Sequence, residues 1–213
     1  MYALIEFSKI IDKLNLWIGR AASWLVLIMV LISTVNALSR KLFALSSNAF
    51  LEIQWYLFAA LFLLSAAYTL QKQEHVRIDL LLNRFSVRNR LRIELAGFIV
   101  FFFPFVLTMI ALSVPFAWHA FQSGEMSSNA GGLIRWPVYA LIPIGFILLA
   151  LQGISEVIKR LATEDNTIAV EDVLPQAVVS APDHQPSLPF DYEAEPVVKR
   201  PKPLRKDAGH LPD

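Results

Sequence analysis

Four long runs without charge constrain this chain of 213 residues more than any other feature. They extend from Ala21 to Ser39, from Ile53 to Gln71, from Leu95 to Gly124 and from Trp136 to Ser155. Because the apolar core of a bilayer is about 30 Å thick, a helix needs about 20 mostly apolar residues to cross it. Only 17% of the residues are charged, against about 25% in a soluble domain. The sequence therefore predicts an all-α integral membrane protein with four transmembrane helices. With their flanks, the predicted spans are about 17–39, 50–71, 93–121 and 136–158.

Positive charges are distributed unevenly between the predicted loops. Eleven Lys and Arg residues lie before helix one, between helices two and three, or just after helix four. The other two loops carry only Arg40, Lys41 and Arg135. Since loops rich in Lys and Arg stay in the cytoplasm, we predict a multi-pass protein of the cytoplasmic membrane with both termini inside.

Helix three and the segment before it are expected to be irregular. Pro104 and Pro115 each remove a backbone hydrogen bond, which predicts a kinked helix. The segment from Lys72 to Arg92 mixes apolar and basic residues. It either lies in the membrane interface or continues helix two beyond the membrane, and the sequence does not decide between these alternatives.

The chain changes character after Ala162. Residues 163–213 contain 8 of the 12 prolines and 10 of the 18 acidic residues. We therefore predict a transmembrane domain over 1–162 and a disordered, acidic, Pro-rich cytoplasmic tail over 163–213. Basic residues near the end of the tail are able to contact anionic membrane lipids, although a solvated tail is the simpler expectation.

Three polar residues lie near the predicted outer membrane boundary. Glu52 lies about one turn into helix two, while Asn36 and Arg40 share one face at the end of helix one. Because a charge in a membrane usually faces protein or water, we predict that Glu52 pairs with Arg40, with Asn36 as a second partner. The functional alternative is a proton or cation site at Glu52.

Residues suited to catalysis or cofactor binding are sparse. The chain has no cysteine, which excludes disulfides and thiolate metal sites. His75 and His119 fall at opposite ends of the predicted bundle, so they do not form a shared haem site. The basic loop is explained by topology rather than by nucleic acid. We expect no enzyme activity, no cofactor, no metal and no nucleic-acid partner.

Four local patterns occur in order along the membrane domain. Arg40 closes helix one and Glu52 opens helix two. The run His75-Val76-Arg77-Ile78-Asp79 follows helix two, and Ser123-Gly124-Glu125-Met126-Ser127, then Gly131-Gly132 and Trp136-Pro137, precede helix four. In these patterns, over roughly residues 10–160, the chain resembles the small membrane subunit (the Q subunit, DctQ-like) of bacterial tripartite ATP-independent periplasmic (TRAP) transporters.

The resemblance implies a function that composition does not reveal. In such a transporter a periplasmic substrate-binding protein captures an organic anion, often a carboxylate. A large membrane subunit then carries this anion inward, coupled to a sodium gradient. The small subunit braces the large one in the bacterial inner membrane and need not bind the substrate itself.

The same resemblance assigns roles to residues of the loops. His75, Arg77 and Asp79 would hold the inner loop against lipid headgroups or the large subunit. Glu125 and Arg135 would contact the binding protein. Two alternatives remain, a cofactor-bearing membrane anchor of a respiratory enzyme and a self-sufficient four-helix exporter.

Overall fold

The computed structural model describes residues 2–43, 47–72 and 87–164, and all structural statements below concern these ranges. Within them the chain is helical, apart from the connections between helices and one isolated bridge between Met126 and Ile134. The predicted roles of His75, Arg77 and Asp79 concern residues outside these ranges. So does the predicted disordered tail (163–213), except that its first two residues, Thr163 and Glu164, are described and are helical.

The structure contains five α-helices and one π-helical turn. Their bounds are α1 Tyr2–Phe43, α2 Asn48–Lys72, α3 Val87–Gly97, the π-helical turn Phe98–Phe102, α4 Phe103–Ser123 and α5 Trp136–Glu164. The segment Arg88–Ser123 runs continuously through α3, the π-helical turn and α4. This segment, α1, α2 and α5 are each long and apolar enough to cross a membrane. The predicted all-α fold with four spanning helices is confirmed.

The helix α1 is much longer than the predicted first span. It begins at Tyr2, whereas the span was expected to begin near residue 17. Its 42 residues rise by about 63 Å in an α-helix, about twice the thickness of the apolar core of a bilayer. A large part of α1 therefore extends beyond that core.

The helix α5 lies at the centre of the bundle. The most apolar window of α5 is 44% buried inside the structure, against 6% for each of the other three spanning segments. Glycines allow its neighbours to approach closely. A Cβ at Gly145 would lie 2.9 Å from the carbonyl oxygen of Leu63 in α2, and a Cβ at Gly153 would collide with the ring of Phe102. The other helices therefore pack around α5 and keep most of their own apolar surface exposed.

The π-helical turn ends at Phe102, two residues before Pro104. The N–H of Phe103 donates a hydrogen bond to the carbonyl of Phe98, five residues earlier, and this bond closes the π-helical turn. In a regular α-helix the Pro104 ring would clash with the carbonyl of Val100, four residues earlier. The wider turn accommodates the ring, while at Pro115 the helix α4 continues in α-helical form.

Polar side chains are concentrated at the two ends of the bundle. We call the end with the α4–α5 loop (124–135) the loop end. The opposite end, where α1 begins and α5 finishes, is the terminal end. A cluster of polar side chains lies at each end, and the helix segments between them are mainly apolar.

Candidate functional site

Three residues on one face of α2 hold the α4–α5 loop at the loop end. Asn48, Glu52 and Tyr56 are spaced by four residues, and this spacing places them above one another on a helix. The side-chain amide of Asn48 donates to the carbonyl of Ala130 at 3.1 Å, and the hydroxyl of Tyr56 donates to the carbonyl of Ile134 at 3.1 Å. We call these three side chains and their loop partners the clasp.

The carboxylate of Glu52 is the centre of the clasp. Its Oε1 accepts hydrogen bonds from the hydroxyl of Ser127 and, at 2.7 Å, from the amide of Asn129. Its Oε2 accepts the backbone N–H of Leu133 at 2.7 Å. Glu52 is only 3% exposed, and a buried carboxylate is costly unless such donors replace water. Three donors from the loop therefore make this burial tolerable.

The loop is folded so that these donors converge. The N–H of Ser127 bonds to the carbonyl of Leu133, and the N–H of Arg135 bonds to that of Glu125, both at 2.9 Å. These bonds pair the two arms of the loop as in a short hairpin. Gly131 at its turn has a φ of 70°, a backbone conformation that glycine adopts without strain. Glu52 thus binds a loop that also has backbone hydrogen bonds of its own.

The structure differs from the predicted pair between Glu52 and Arg40. Within the described part of the chain, Glu52 bonds to the α4–α5 loop, and neither Arg40 nor Asn36 forms a hydrogen bond or ion pair with it. Arg40 is exposed and Asn36 is half-buried. The predicted pair involves only α1 and α2, which are consecutive in the sequence. In the structure the loop before α5 folds back over α2 and supplies the hydrogen-bond donors to the carboxylate of Glu52.

Glu125 and Arg135 form an ion pair across the two arms of the loop. The distance from Arg135 Nη1 to Glu125 Oε1 is 3.0 Å, and the side chains are 35% exposed for Arg135 and 40% for Glu125. Arg135 Nη1 also donates to the Tyr139 hydroxyl at 3.4 Å, and this hydrogen bond raises the pKa of Arg135. The pair presents both charges at the surface of the loop end.

A second group of polar side chains joins α1 to α5 at the terminal end. Asp12 Oδ1 accepts hydrogen bonds from Ser155 at 2.8 Å and from Gln152 at 2.9 Å, and Asp12 Oδ2 lies 2.8 Å from the ammonium of Lys159. The Ser155 hydroxyl has a single proton and donates it to Asp12. In the 2.7 Å hydrogen bond between the two serines, Ser8 is therefore the donor to Ser155.

Arg160 continues this group from α5 to α3. Its Nε lies 3.0 Å from Glu94 Oε2 and its Nη1 lies 2.6 Å from Glu156 Oε2. The guanidinium also lies over the ring of Phe98, 4.9 Å from its centroid. Arg90 lies 3.4 Å from the other oxygen of Glu94. Arg160 is 2% exposed and Arg90 is 1% exposed, so both guanidinium groups are buried within the protein.

We call the joined side chains of the terminal end the polar cluster. Its members are Ser8, Asp12 and Asn15 of α1, Arg90 and Glu94 of α3, and Gln152, Ser155, Glu156, Lys159 and Arg160 of α5. Three carboxylates face three cations, so the charges of the cluster balance. No group of three His, Cys, Asp or Glu residues within the described ranges is arranged to hold a metal ion. The cluster joins α1, α3 and α5 through these contacts.

Comparison with known proteins gives a family. The family described as tripartite ATP-independent periplasmic transporters, DctQ component, matches residues 29–163, which is more than half of the chain. The chain belongs to this family. Searches of curated proteins and of solved structures found no match.

The family match covers the two polar groups unequally. The clasp lies wholly within residues 29–163, as do the α3 and α5 members of the polar cluster. Ser8, Asp12 and Asn15 precede the matched region. The family match therefore includes the clasp and only the α3 and α5 members of the polar cluster.

Sequence reasoning missed most of the polar cluster. Lys159 and Arg160 were used only as topology signals, and Asp12 and Glu156 were assigned no role. One local signal was present, because Glu156 precedes Lys159 by three residues and Arg160 by four, a spacing at which helical side chains form ion pairs. The bond between Ser8 and Ser155, which spans 147 residues, had no local signal.

Proposed function

We propose that this chain is the accessory small permease subunit of a TRAP transporter and that it scaffolds the large membrane subunit. The transporter would carry out sodium-coupled, binding-protein-dependent uptake of an organic acid, with a carboxylate as the expected class. The observation that carries the proposal is the DctQ family match over residues 29–163. Its partners would be the large subunit, the periplasmic substrate-binding protein and the lipids of the bacterial inner membrane.

The distribution of polar groups supports scaffolding rather than transport by this chain alone. The buried charges of the described helices lie in the clasp and the polar cluster, where they are paired or hydrogen-bonded. Hydroxyls between these ends bond back to their own helix, as Ser65 does to the carbonyl of Leu61 at 2.6 Å and Thr69 to that of Ser65 at 3.0 Å. Such hydroxyls do not form a polar pathway for a carboxylate.

The lipid-facing surface supports the same role. Three of the four spanning segments bury only 6% of their most apolar window inside the chain. Apolar surface of this extent is suited both to lipid and to a large membrane partner. A chain that braces another membrane protein would present such a surface.

The orientation that we propose places both termini in the cytoplasm. It follows from the excess of Lys and Arg around the termini and between helices two and three. The loop end would then face the periplasm and present Glu125 and Arg135 to the binding protein. His75, Arg77 and Asp79 would form the inner-loop interface with headgroups or the large subunit.

The absence of cysteine allows a direct test of this orientation. Ser128→Cys in the exposed α4–α5 loop and Lys13→Cys in the exposed part of α1 each introduce one thiol. A membrane-impermeant maleimide applied to spheroplasts should label Ser128→Cys and leave Lys13→Cys unlabelled until the cells are opened. The reverse pattern would contradict the proposed orientation.

The subunit assignment is tested by purification and uptake together. Tagged chain from native membranes in mild detergent should co-purify with a much larger polytopic membrane protein in stoichiometric amount, identified by mass spectrometry. Deletion of the chain should abolish uptake of the organic acid, and the intact chain should restore it. Co-purification of a soluble redox enzyme, or a stable homodimer without another partner, would contradict the assignment.

A further inference from the structure

One face of α1 is apolar along nearly the whole helix and is exposed in the described part of the chain. Its positions alternate in steps of three and four residues, and every one of them is apolar: Phe7, Ile10, Leu14, Trp17, Ala21, Trp24, Ile28, Leu31, Val35, Leu38 and Leu42. Apart from Ala21, which is also exposed, their exposed fractions range from 43% at Leu14 to 70% at Trp17. We call this face the apolar stripe.

The apolar stripe is distinct from the face that packs inside the bundle. The inward face follows the same alternation one residue later, starting with Ser8, Ile11 and Asn15, which are 2%, 4% and 1% exposed. Before Arg20 two of these three inward side chains are polar, whereas large apolar side chains point outward. The charged residues of this part of α1 all lie off the stripe: Glu6, Lys9, Asp12, Lys13 and Arg20.

Lipid chains do not reach the first part of the stripe. The charge-free run of α1 extends from Ala21 to Ser39 and is centred near residue 30. Ile10 is twenty residues before this centre, so along the helix it lies about 30 Å from the bilayer midplane. The apolar core ends about 15 Å from the midplane and the headgroup region about 22 Å from it. Lipid therefore does not account for the exposed apolar residues from Phe7 to Leu14, and a protein surface is suited to cover them.

The spacing identifies the kind of surface. Apolar residues that repeat every 3.5 residues form a straight seam for one neighbouring helix, whose side chains interlock with them at a crossing angle near 20°. Since the stripe continues from beyond the headgroups into the apolar core, its neighbour must be a helix that also crosses this boundary. A lipid would match only the part of the stripe within the apolar core, and a soluble peptide only the part beyond the headgroups.

We infer that the apolar stripe is the docking seam for one long transmembrane helix of the large membrane subunit. This inference rests on the proposed function and adds the surface by which the small subunit holds its partner. The occupant would carry its own uninterrupted apolar face and would extend past the bilayer core at the terminal end. Phe7, Ile10 and Leu14, at the start of the seam, precede the family match, which begins at residue 29.

The test uses single thiols in the cysteine-free chain. Ile10→Cys and Leu14→Cys place a thiol on the stripe, and Lys9→Cys and Lys13→Cys place one on the neighbouring exposed face as matched controls. Each variant is labelled with a water-soluble maleimide in nanodiscs, both alone and as the purified complex with the large subunit. Stripe thiols should react freely in the isolated chain and about tenfold more slowly in the complex, because a packed seam excludes water. The control thiols should react at the same rate in both samples.

The contrary outcomes separate this inference from the proposed function. If the complex forms but the stripe thiols react as fast as in the isolated chain, the seam is wrong and the subunit assignment stands. If the large subunit does not bind, both fail. Protection of the stripe thiols in the isolated chain would overturn the inference, and a homodimer linked by a disulfide at Ile10→Cys would show that a second copy occupies the seam.

Discussion

The backbone N–H of Leu133 donates a hydrogen bond of 2.7 Å to Glu52 Oε2. This bond joins the first turns of α2 to the residues that lead into α5. It leaves Oε1 for Ser127 and Asn129, so both oxygens of the carboxylate are used by the α4–α5 loop. A single side chain thereby ties together two parts of the chain that are 81 residues apart.

Replacement of Glu52 by Gln should destabilise the loop end. The oxygen of the new amide can still accept from Ser127 and Asn129, but its NH₂ group would face the N–H of Leu133, donor against donor. A buried donor left unpaired costs about 1–3 kcal/mol. We expect a lower midpoint of thermal unfolding, measured by tryptophan fluorescence of the chain in mild detergent.

Glu6→Gln is the matched control for this measurement. Glu6 pairs with Lys9 at 2.8 Å, but the side chains are 69% and 66% exposed, and such surface pairs contribute about 0–1 kcal/mol. The control should unfold close to the parent. Equal midpoints for Glu52→Gln and the parent would show that the clasp does not stabilise the fold.

The stability effects of Arg40 and Glu52 should be independent. Arg40 is exposed and Glu52 bonds to the loop, so Arg40→Gln should shift the unfolding midpoint equally in the parent and in Glu52→Gln. Asn129→Ala should instead couple to Glu52→Gln, because Asn129 donates directly to the carboxylate. Double-mutant cycles measure the coupling free energy of each pair. A coupling above about 0.5 kcal/mol between Arg40 and Glu52 would support the ion pair predicted from the sequence.

Replacement of Arg160 by Met should be among the most destabilising changes in this chain. It would remove the cation shared by Glu94 and Glu156, so that Glu94 retains its ion pair with Arg90 and Glu156 its ion pair with Lys159. Removal of one partner from a buried ion pair costs about 3–5 kcal/mol. Arg160→Lys should recover only part of this loss, because one ammonium does not reproduce the two-sided geometry of the guanidinium.

Arg92→Met tests whether burial causes this effect. Arg92 also forms an ion pair, with Glu164 at 2.8 Å, but its side chain is 64% exposed. Its loss should lower the unfolding midpoint slightly or not at all. If Arg92→Met and Arg160→Met were equally destabilising, burial of the polar cluster would not explain its contribution.

Replacement of Gly145 by Ala should weaken the contact between α2 and α5. The new Cβ would lie 2.9 Å from both the Cβ and the carbonyl oxygen of Leu63, and a backbone atom at that distance moves only if the helices separate. Gly97→Ala provides the opposite control, because a Cβ there meets nothing within 4 Å and Ala favours a helix over Gly by about 1 kcal/mol. The midpoint of thermal unfolding should therefore fall for Gly145→Ala and rise for Gly97→Ala. A higher midpoint for Gly145→Ala would contradict the close contact with Leu63.

The spanning helices were predictable because their signal is local. The length of an apolar run and the absence of charge within it depend only on consecutive residues, and α2 and α5 begin at Asn48 and Trp136, close to the predicted residues 50 and 136. The start of α1 at Tyr2 was not predicted. Its charged residues resemble a polar flank when hydropathy alone is considered, although they all lie off the apolar stripe.

The side-chain partners were not predictable because they are distant in sequence. Glu52 was correctly singled out as a charge that needs a partner, but the hydroxyl that it binds belongs to Ser127, 75 residues away. Arg40 is the partner predicted from the sequence because it approaches the same depth as Glu52 at the end of helix one, on one face with Asn36. A hydrogen-bonded loop was the better solution, since it supplies three donors at once.

Exchange of the charges at Glu125 and Arg135 tests the proposed contact with the binding protein. In the double variant Glu125→Arg with Arg135→Glu, an ion pair can still form between the arms of the loop, which are joined by the backbone bond from Arg135 N to Glu125 O at 2.9 Å. Stability should therefore change little, by about 0–1 kcal/mol for a half-exposed pair, while the positive and negative charges exchange places at the surface of the loop. Because complementary charge steers protein encounters, uptake should need a higher concentration of binding protein and should depend less on ionic strength. Uptake into proteoliposomes, measured across a range of binding-protein concentrations, decides the matter, and an unchanged dependence in a stably folded double variant would place the docking surface elsewhere.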